Sequence, residues 1–282
     1  MKLVGKLWQR RILSLLGLLL IAGLTGCLTL LRPPAVSNIN PHLLLGNPSQ
    51  ATQFNPQNYL ISRPQYVLSY NRDKGIPNWV SWQLTQDWLG NLPRQPFTAD
   101  TSLPSDWYRV LPADYTGSGF DRGHMIPAAD RNKTEADARA VFLMTNILPQ
   151  APDNNQGPWE RLESACRNLA QQGKELYIVA GSVGQGGVGI KGKQMSLAQG
   201  KVLVPAKLWK LIVILDRPGL DIAGITAQTP VIAVIMPNQQ GIKDTSWQTY
   251  RTTIDQIEKQ TGYDFLSNLP QSLQATLEAK AS

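Results

Sequence analysis

The chain has 282 residues, with 27 Lys+Arg against 20 Asp+Glu, a formal net charge of +7, two histidines and two cysteines. Four of the basic residues, Lys2, Lys6, Arg10 and Arg11, sit in an N-terminal stretch without acidic residues, so the remainder carries 23 basic against 20 acidic residues and is near +3. Global basicity is therefore weak ground for a polyanion-binding body, and so few histidines and cysteines leave no disulfide framework and no well-spaced zinc cluster.

In chain order, the basic start is followed by an apolar run from Ile12 to Leu24 that ends in small residues before Cys27, the pattern of a secretion signal. Leu24-Thr25-Gly26-Cys27 resembles a lipobox, in which the cysteine is lipidated and becomes the mature N-terminus. Ordinary cleavage and an uncleaved anchor are the alternatives, and all three export the body of the protein to the periplasm or beyond the cell. The expected organisation is a signal peptide over 1–27, a linker over 28–40 around Pro33-Pro34, and one domain over 41–282. With Cys27 processed, Cys166 stands alone and cannot form an intrachain disulfide.

His42, in an early His-Leu-Leu-Leu segment, reads as structural or surface. Tyr66–Tyr70 and Trp79–Leu84 are rich in aromatic and β-branched residues around the turn chemistry of Asp73-Lys-Gly75, which predicts a hairpin. Val141–Thr145, Leu176–Ala180, Leu211–Leu215 and Val231–Ile235 are short apolar runs that suit buried strands of a central sheet. From Pro158 to Gln172, Trp159, Leu162, Cys166 and Leu169 recur at intervals of three and four, with Gly173 just beyond, which predicts a helix. Cys166 falls on its apolar stripe; Glu163 and Arg167 share another face. A second helix is expected over Ser246–Thr261, and a polar, helix-prone end from Pro270 that packs loosely. The aromatics Trp79, Trp82, Trp107 and Trp209 read as core ahead of base-stacking platforms. The glycines between Gly181 and Gly192 read as a hairpin loop, since Gly192-Lys193 is followed by Gln194 where a phosphate loop needs Ser or Thr. Lys191, Lys193, Lys201, Lys207 and Lys210 fall in a segment without acidic residues, and a solvated face and a phosphate-tracking surface are about equally good readings.

Two stretches carry chemistry. Asp121-Arg-Gly-His-Met125 places a histidine beside an arginine, and Asn155-Gln-Gly-Pro-Trp-Glu-Arg-Leu-Glu163 adds an amide and a carboxylate eight residues apart. Hydrolysing a phosphodiester needs a base for water, a cation on the phosphate oxygens, and fixed positive groups for the charge that builds up. His124 suits the first task, an ion near Asn155 the second, nearby arginines the third. Taken singly, each residue has an ordinary explanation: a hydrogen-bonded histidine, turn chemistry at Asp153-Asn154-Asn155, and a helix-surface ion pair between Glu163 and Arg167.

Together, and in this order, the two stretches resemble the DNA/RNA non-specific endonucleases, built on a ββα-metal finger. The likeness extends through Gly46-Asn-Pro-Ser49, Pro77-Asn-Trp-Val80, Ala113–Gly117 and Thr145–Gln150. It implies an α+β fold with a mixed, mainly antiparallel central sheet flanked by helices, the finger carrying the active site. Carried over residue by residue, it makes His124 the general base, Asn155 the single protein metal ligand, and Glu163 the carboxylate that holds water on the metal. Arg122 and Arg167 become phosphate or transition-state contacts, Arg94 a third, and Asp121 an orienting residue whose partner the sequence does not reveal. The resemblance further implies Mg2+ or Mn2+ as cofactor, single- and double-stranded DNA and RNA as substrates, and products with a 5′ phosphate and a 3′ hydroxyl. A protein inhibitor and a lipid anchor through Cys27 are partners the sequence leaves open. Its competitors are an exported nucleic-acid-binding lipoprotein whose finger no longer cuts, and a hydrolase of smaller phosphodiesters.

Overall fold

The computed structural model describes residues 40–280. The expected signal peptide, Cys27 and the linker up to residue 39 lie outside the described residues. Within them the principal strands are β1 (Tyr59–Ser62), β2 (Val67–Asn71), β3 (Ile76–Leu84), β4 (Asp121–His124), β5 (Ile147–Gln150), β6 (Glu175–Val183), β7 (Lys207–Leu215) and β8 (Val231–Pro237). The helices are α1 (Glu135–Val141), α2 (Glu160–Gln171), α3 (Ile254–Thr261) and α4 (Gln271–Glu278).

Six strands form one antiparallel sheet in the order β1-β2-β3-β6-β7-β8. Its inner strands read as near-continuous apolar runs because both faces are covered. On one face Trp79, Val179, Trp209, Leu211 and Val213 pack with Ile254, Ile257, Phe265 and Leu277 from the C-terminal helices and their connection. On the other, Trp82, Ile178, Leu208 and Ile212 pack with Leu148 of β5 and Leu162 and Cys166 of α2. The result is an α+β fold of three layers. The β2–β3 hairpin forms as expected, its turn fixed by Asn71, whose side-chain oxygen accepts from the N–H groups of Asp73 and Lys74, and by Gly75 at φ 63°.

His42 is structural. It is buried, its Nε2 donates to the carbonyl of Pro64 at 2.8 Å, and its Nδ1 accepts from the Gln83 N–H at 3.1 Å, tying the start of the domain to β3. Trp79, Trp82 and Trp209 belong to the core, Cys166 is buried and free, and Gly187–Gly189 pairs with Gly192–Gln194 in a short hairpin.

Three expectations change. Val141–Thr145 is not a strand: Val141 ends α1, which Thr134 caps by accepting from the Asp137 N–H, and Met144–Asn146 is a 3-10 turn that delivers the chain into β5. A short apolar run is equally at home at the buried end of a helix. Ser246–Thr261 breaks in two, a 3-10 turn at Trp247–Tyr250 and then α3, because Thr253 is extended and serves as N-cap to the Gln256 N–H; the expected end at Thr261 is kept, with Gly262 in the left-handed region as its cap. The C-terminal end is docked, with Leu277 fully buried. Among the described residues, no helix is long and apolar enough to cross a membrane.

The unit that positions the site is a finger of two strands and a helix on the Trp82 face of the sheet. β4 and β5 pair antiparallel, with Asp121 opposite Gln150 and His124 opposite Ile147. Gly123 is required there, since a Cβ would run into the side chain of Gln150. Gln150 in turn donates to Asn154 Oδ1, and Asn154 to the Pro237 carbonyl. Asn238 closes the anchor by accepting from the Ala151 N–H and donating to the carbonyls of Pro149 and Pro205. The finger is thus hydrogen-bonded to the end of β8. Between β5 and α2 the chain makes a wide turn over Asn155–Trp159, kinked at Gly157, where a Cβ would lie 2.7 Å from the Lys243 carbonyl.

Candidate active site

Asp121, Arg122 and His124 leave β4 at the point where the turn before α2 presents Asn155. One open cavity of about 470 Å³ is lined by Arg94, Arg122, His124, Asn155, Gln156, Glu160, Glu163 and Arg167, with Pro127, Ala128 and Ala129 as its apolar wall. Six of the seven site residues singled out in the sequence line it; the seventh, Asp121, lies behind it.

Asp121 settles which way Asn155 points. Its Oδ2 accepts from Asn155 Nδ2 and from Gln156 Nε2, each at 2.8 Å. A carboxylate only accepts, so it must face the amide NH2, which leaves Asn155 Oδ1 as the free end of the side chain. That is the oxygen a hard divalent cation takes, and Mg2+ binds few protein ligands beside water and substrate oxygens. The donor set fits such an ion, with one oriented amide oxygen and the Glu163 carboxylate on the wall of the same cavity.

His124 is held between two phenyl rings, Phe97 at 5.2 Å and Phe142, edge-on, at 4.8 Å between centroids. Its Nε2 is shielded from solvent and has no hydrogen-bond partner among the described residues. Burial, helped by the charge of Arg94, pulls its pKa down from 6.5 to about 3, so the free imidazole is neutral and able to take a proton. The arginines are placed by the same rings: Arg122 lies 5.4 Å over Phe97 and Arg94 5.3 Å over Phe142. Arg122 also donates through Nε and Nη2 to the Pro112 carbonyl, which leaves the rest of its fork for the cavity.

Glu163 and Arg167 do not pair with each other as their helical spacing allowed. Arg167 pairs with Asp130 at 3.2 Å, donates to Ser164 Oγ at 2.8 Å and lies 3.7 Å from Glu160. Asp130 is buried, and also accepts from the indole of Trp82 at 3.0 Å. Glu163 pairs with Lys210 of β7 at 3.4 Å, and Lys210 is itself buried. Burial pushes the Glu163 carboxyl up to about 7, against the pull of Lys210. Lys210 therefore leaves the lysine face suggested by the sequence, since the pleat of β7 turns it inward, whereas Lys191, Lys193, Lys201 and Lys207 are exposed.

Sequence reasoning missed Asp130, Lys210 and the polar chain Gln150–Asn154. Asp130 had a weak signal, sitting six residues after His124. Lys210 had none, as its chemistry depends on a strand-to-helix contact 47 residues apart.

Residues 46–272 match the model of the family described as DNA/RNA non-specific endonuclease. The chain is 49% identical over 269 residues to a nuclease of Nostoc sp. (strain PCC 7120), covering 93% of this chain and 95% of that protein. It is 30% identical over 230 residues to a nuclease of Serratia marcescens, covering 79% and 80%. Among solved structures, a chain from the complex of EndoG with EndoGI superposes with a TM-score of 0.69 over 86% of this chain and 96% of that one, at 24% identity.

Proposed function

Since the chain belongs to the DNA/RNA non-specific endonucleases, a family of metal-dependent nucleases, we propose that it hydrolyses DNA and RNA to products with a 5′ phosphate and a 3′ hydroxyl, with His124 as general base. The observation that carries this reading is the convergence of His124, Asn155, Glu163, Arg94, Arg122 and Arg167 on one cavity, with Asp121 turning the Asn155 oxygen free.

Asn155 Oδ1 would hold Mg2+ or Mn2+, with Glu163 as the neighbouring carboxylate. When bound, such an ion supplies Lewis-acid neutralisation of charge on the phosphate and on the departing oxygen. His124 accepts a proton from water as its oxygen attacks phosphorus, the bond from phosphorus to the 3′ oxygen breaks, and the departing oxygen takes a proton from a second water to become the 3′ hydroxyl. Arg94, Arg122 and Arg167 hold the non-bridging oxygens with charge-assisted hydrogen bonds. Phe97 and Phe142 keep bulk water from the imidazole. Because these contacts address phosphate and the nucleophile is water, neither base sequence nor a ribose 2′ hydroxyl enters the reaction. By analogy with EndoG, whose complex with EndoGI is an inhibited one, a protein inhibitor would be a further partner of this chain. We read the apolar leader as an export signal, with lipidation at Cys27 one of its outcomes, to be checked by intact mass of the exported form.

The test is incubation with plasmid, RNA and a small chromogenic diester, with and without Mg2+ or Mn2+. Cutting of both polymers only with metal is expected. Turnover of the small diester with intact polymers, or binding without cutting, defeats the reading. His124→Ala should lose at least ~10²-fold in kcat, the scale of general-base catalysis, with DNA affinity largely kept. Near-normal cleavage by that variant removes His124 from its role.

A further inference from the structure

Lys210 is buried, 1 % exposed, on the strand next to the β8 edge of the sheet, in register with Ala180 of β6 and Val234 of β8. Its Nζ lies 4.0 Å over the Trp159 ring, 5.8 Å over that of Trp82 and 3.4 Å from Glu163 Oε1. Among the described residues Glu163 is its one ion-pair partner. The neighbouring carboxylate, Asp130, is held by Arg167 and by the Trp82 indole. Two acids and two cations thus meet at one wall of the cavity, Arg167 reaching Asp130 and, at 3.7 Å, Glu160, and Lys210 reaching Glu163.

We propose that Lys210 is a positioning residue for the nuclease reaction, its ammonium fixing the Glu163 carboxylate at the wall of the cavity.

Three points support this. First, stability does not account for the lysine: burying an ammonium is costly, and apolar replacements of buried ion pairs are often neutral or stabilising. Second, the indoles leave the ammonium little freedom. A cation over a desolvated ring is attracted to its face, so Trp159, at the entry to α2, sets where Nζ sits, and Nζ sets where Glu163 sits. Third, Arg167, the other cation of the cluster, is turned to Asp130 and Ser164. Lys210 is the cation in direct contact with Glu163. The proposal rests on the reading of Glu163 given above.

The experiment is a double-mutant cycle with Lys210→Met, Glu163→Gln and the pair, reading kcat on plasmid DNA, Mn2+ affinity by paramagnetic resonance without nucleic acid, and Tm. Lys210→Met leaves the buried Glu163 without its cation and should lower Tm, and it should lower kcat and Mn2+ affinity by about 10–100-fold, the usual reach of an outer residue on a metal site. In the Glu163→Gln background it should change neither, because both substitutions remove one interaction. Independent, multiplying losses would show that Lys210 acts without Glu163 and overturn the proposal, as would full activity and Mn2+ affinity in Lys210→Met beside a crippled Glu163→Gln. An unimpaired Glu163→Gln would instead sink the reading of the site, and the proposal with it. Should Lys210→Met fail to fold, Lys210→Arg and Lys210→Gln compared at matched Tm decide: the arginine must retain more Mn2+ affinity than the glutamine, and equal losses refute the role.

Discussion

At the scale of single residues, the site is built by denying side chains their alternatives. An asparagine in a turn can present either end of its amide, and Asp121 removes the choice by accepting from Nδ2. Replacing Asp121 by alanine should therefore leave Asn155 in place but free to rotate. The expected outcome is a Mg2+ activation midpoint raised about 10-fold or more, the scale of outer residues that orient metal ligands, with DNA affinity in the absence of metal unchanged. Asn155→Ala should raise the midpoint further, and Asp121→Ala in that background should add little. A metal titration unchanged in Asn155→Ala would remove the amide from the metal site. The same logic governs His124. Wrapped by Phe97 and Phe142 and facing Arg94, its cation is disfavoured and the neutral ring remains. In the free enzyme His124 should therefore set no acid limb of kcat/KM near 6.5, since its own loss comes only as pH descends through the lowered value, and a limb nearer 7 belongs to the Glu163 carboxyl.

At the scale of elements, the finger and the C-terminal helices lie on opposite faces of one sheet, and that separates their effects. Gly123→Ala forces a Cβ into Gln150, the head of the hydrogen-bonded chain that anchors β5 to β8. Overpacking of this kind costs about 1–3 kcal/mol, and here it displaces His124 and Asp121 as well, so kcat should fall together with stability. Thr253→Ala removes the N-cap of α3 and should cost about 1 kcal/mol with kcat unchanged. Urea unfolding and kcat on the two variants check the contrast; an inactive, equally stable Thr253→Ala would contradict it. The same division explains what could be read beforehand. Asp121–His124 and Asn155–Glu163 were legible because their chemistry lies on short contiguous segments, and the β2–β3 hairpin because its turn residues are local. The strand expected at Val141–Thr145 was misplaced because four apolar residues have no period of their own, and the N-cap of Thr253 inside an otherwise helical stretch was not weighed. Lys210 and Asp130 were invisible as site residues, since burial turned a lysine of a basic segment into the counter-charge of a carboxylate on α2.

For the whole molecule, four buried groups set opposing demands on pH. His42, with both ring nitrogens bonded, has its pKa lowered from 6.5 to about 4, and His124 is lowered to about 3, in each case first by burial. A histidine kept neutral in the fold contributes stability that is full above 6.5 and is lost as pH falls towards the folded value, because the unfolded chain binds the proton more readily. For His42 alone the loss amounts to roughly 3 kcal/mol. Glu163 and Glu278 go the other way. Burial raises each from 4.5 to about 7, with Glu258 shifted in the same direction and, among the aspartates, Asp130. A raised carboxyl penalises the fold above 7 and ceases to do so as pH falls to 4.5. Between about 6.5 and 4.5 the two pairs offset, so the unfolding free energy should stay nearly level and then drop below 4.5, where the histidines are joined by Asp100, whose lowered carboxyl stabilises the fold only while ionised. Glu278→Gln removes one opposing group on the face away from the catalytic cavity. It should raise stability at pH 7 and uncover a downward slope between 6.5 and 4.5, without loss of activity. Urea unfolding of both proteins across this range decides it. A wild-type stability that declines steadily from 6.5, or a Glu278→Gln curve parallel to it throughout, would mean that these groups do not govern how the fold responds to acid.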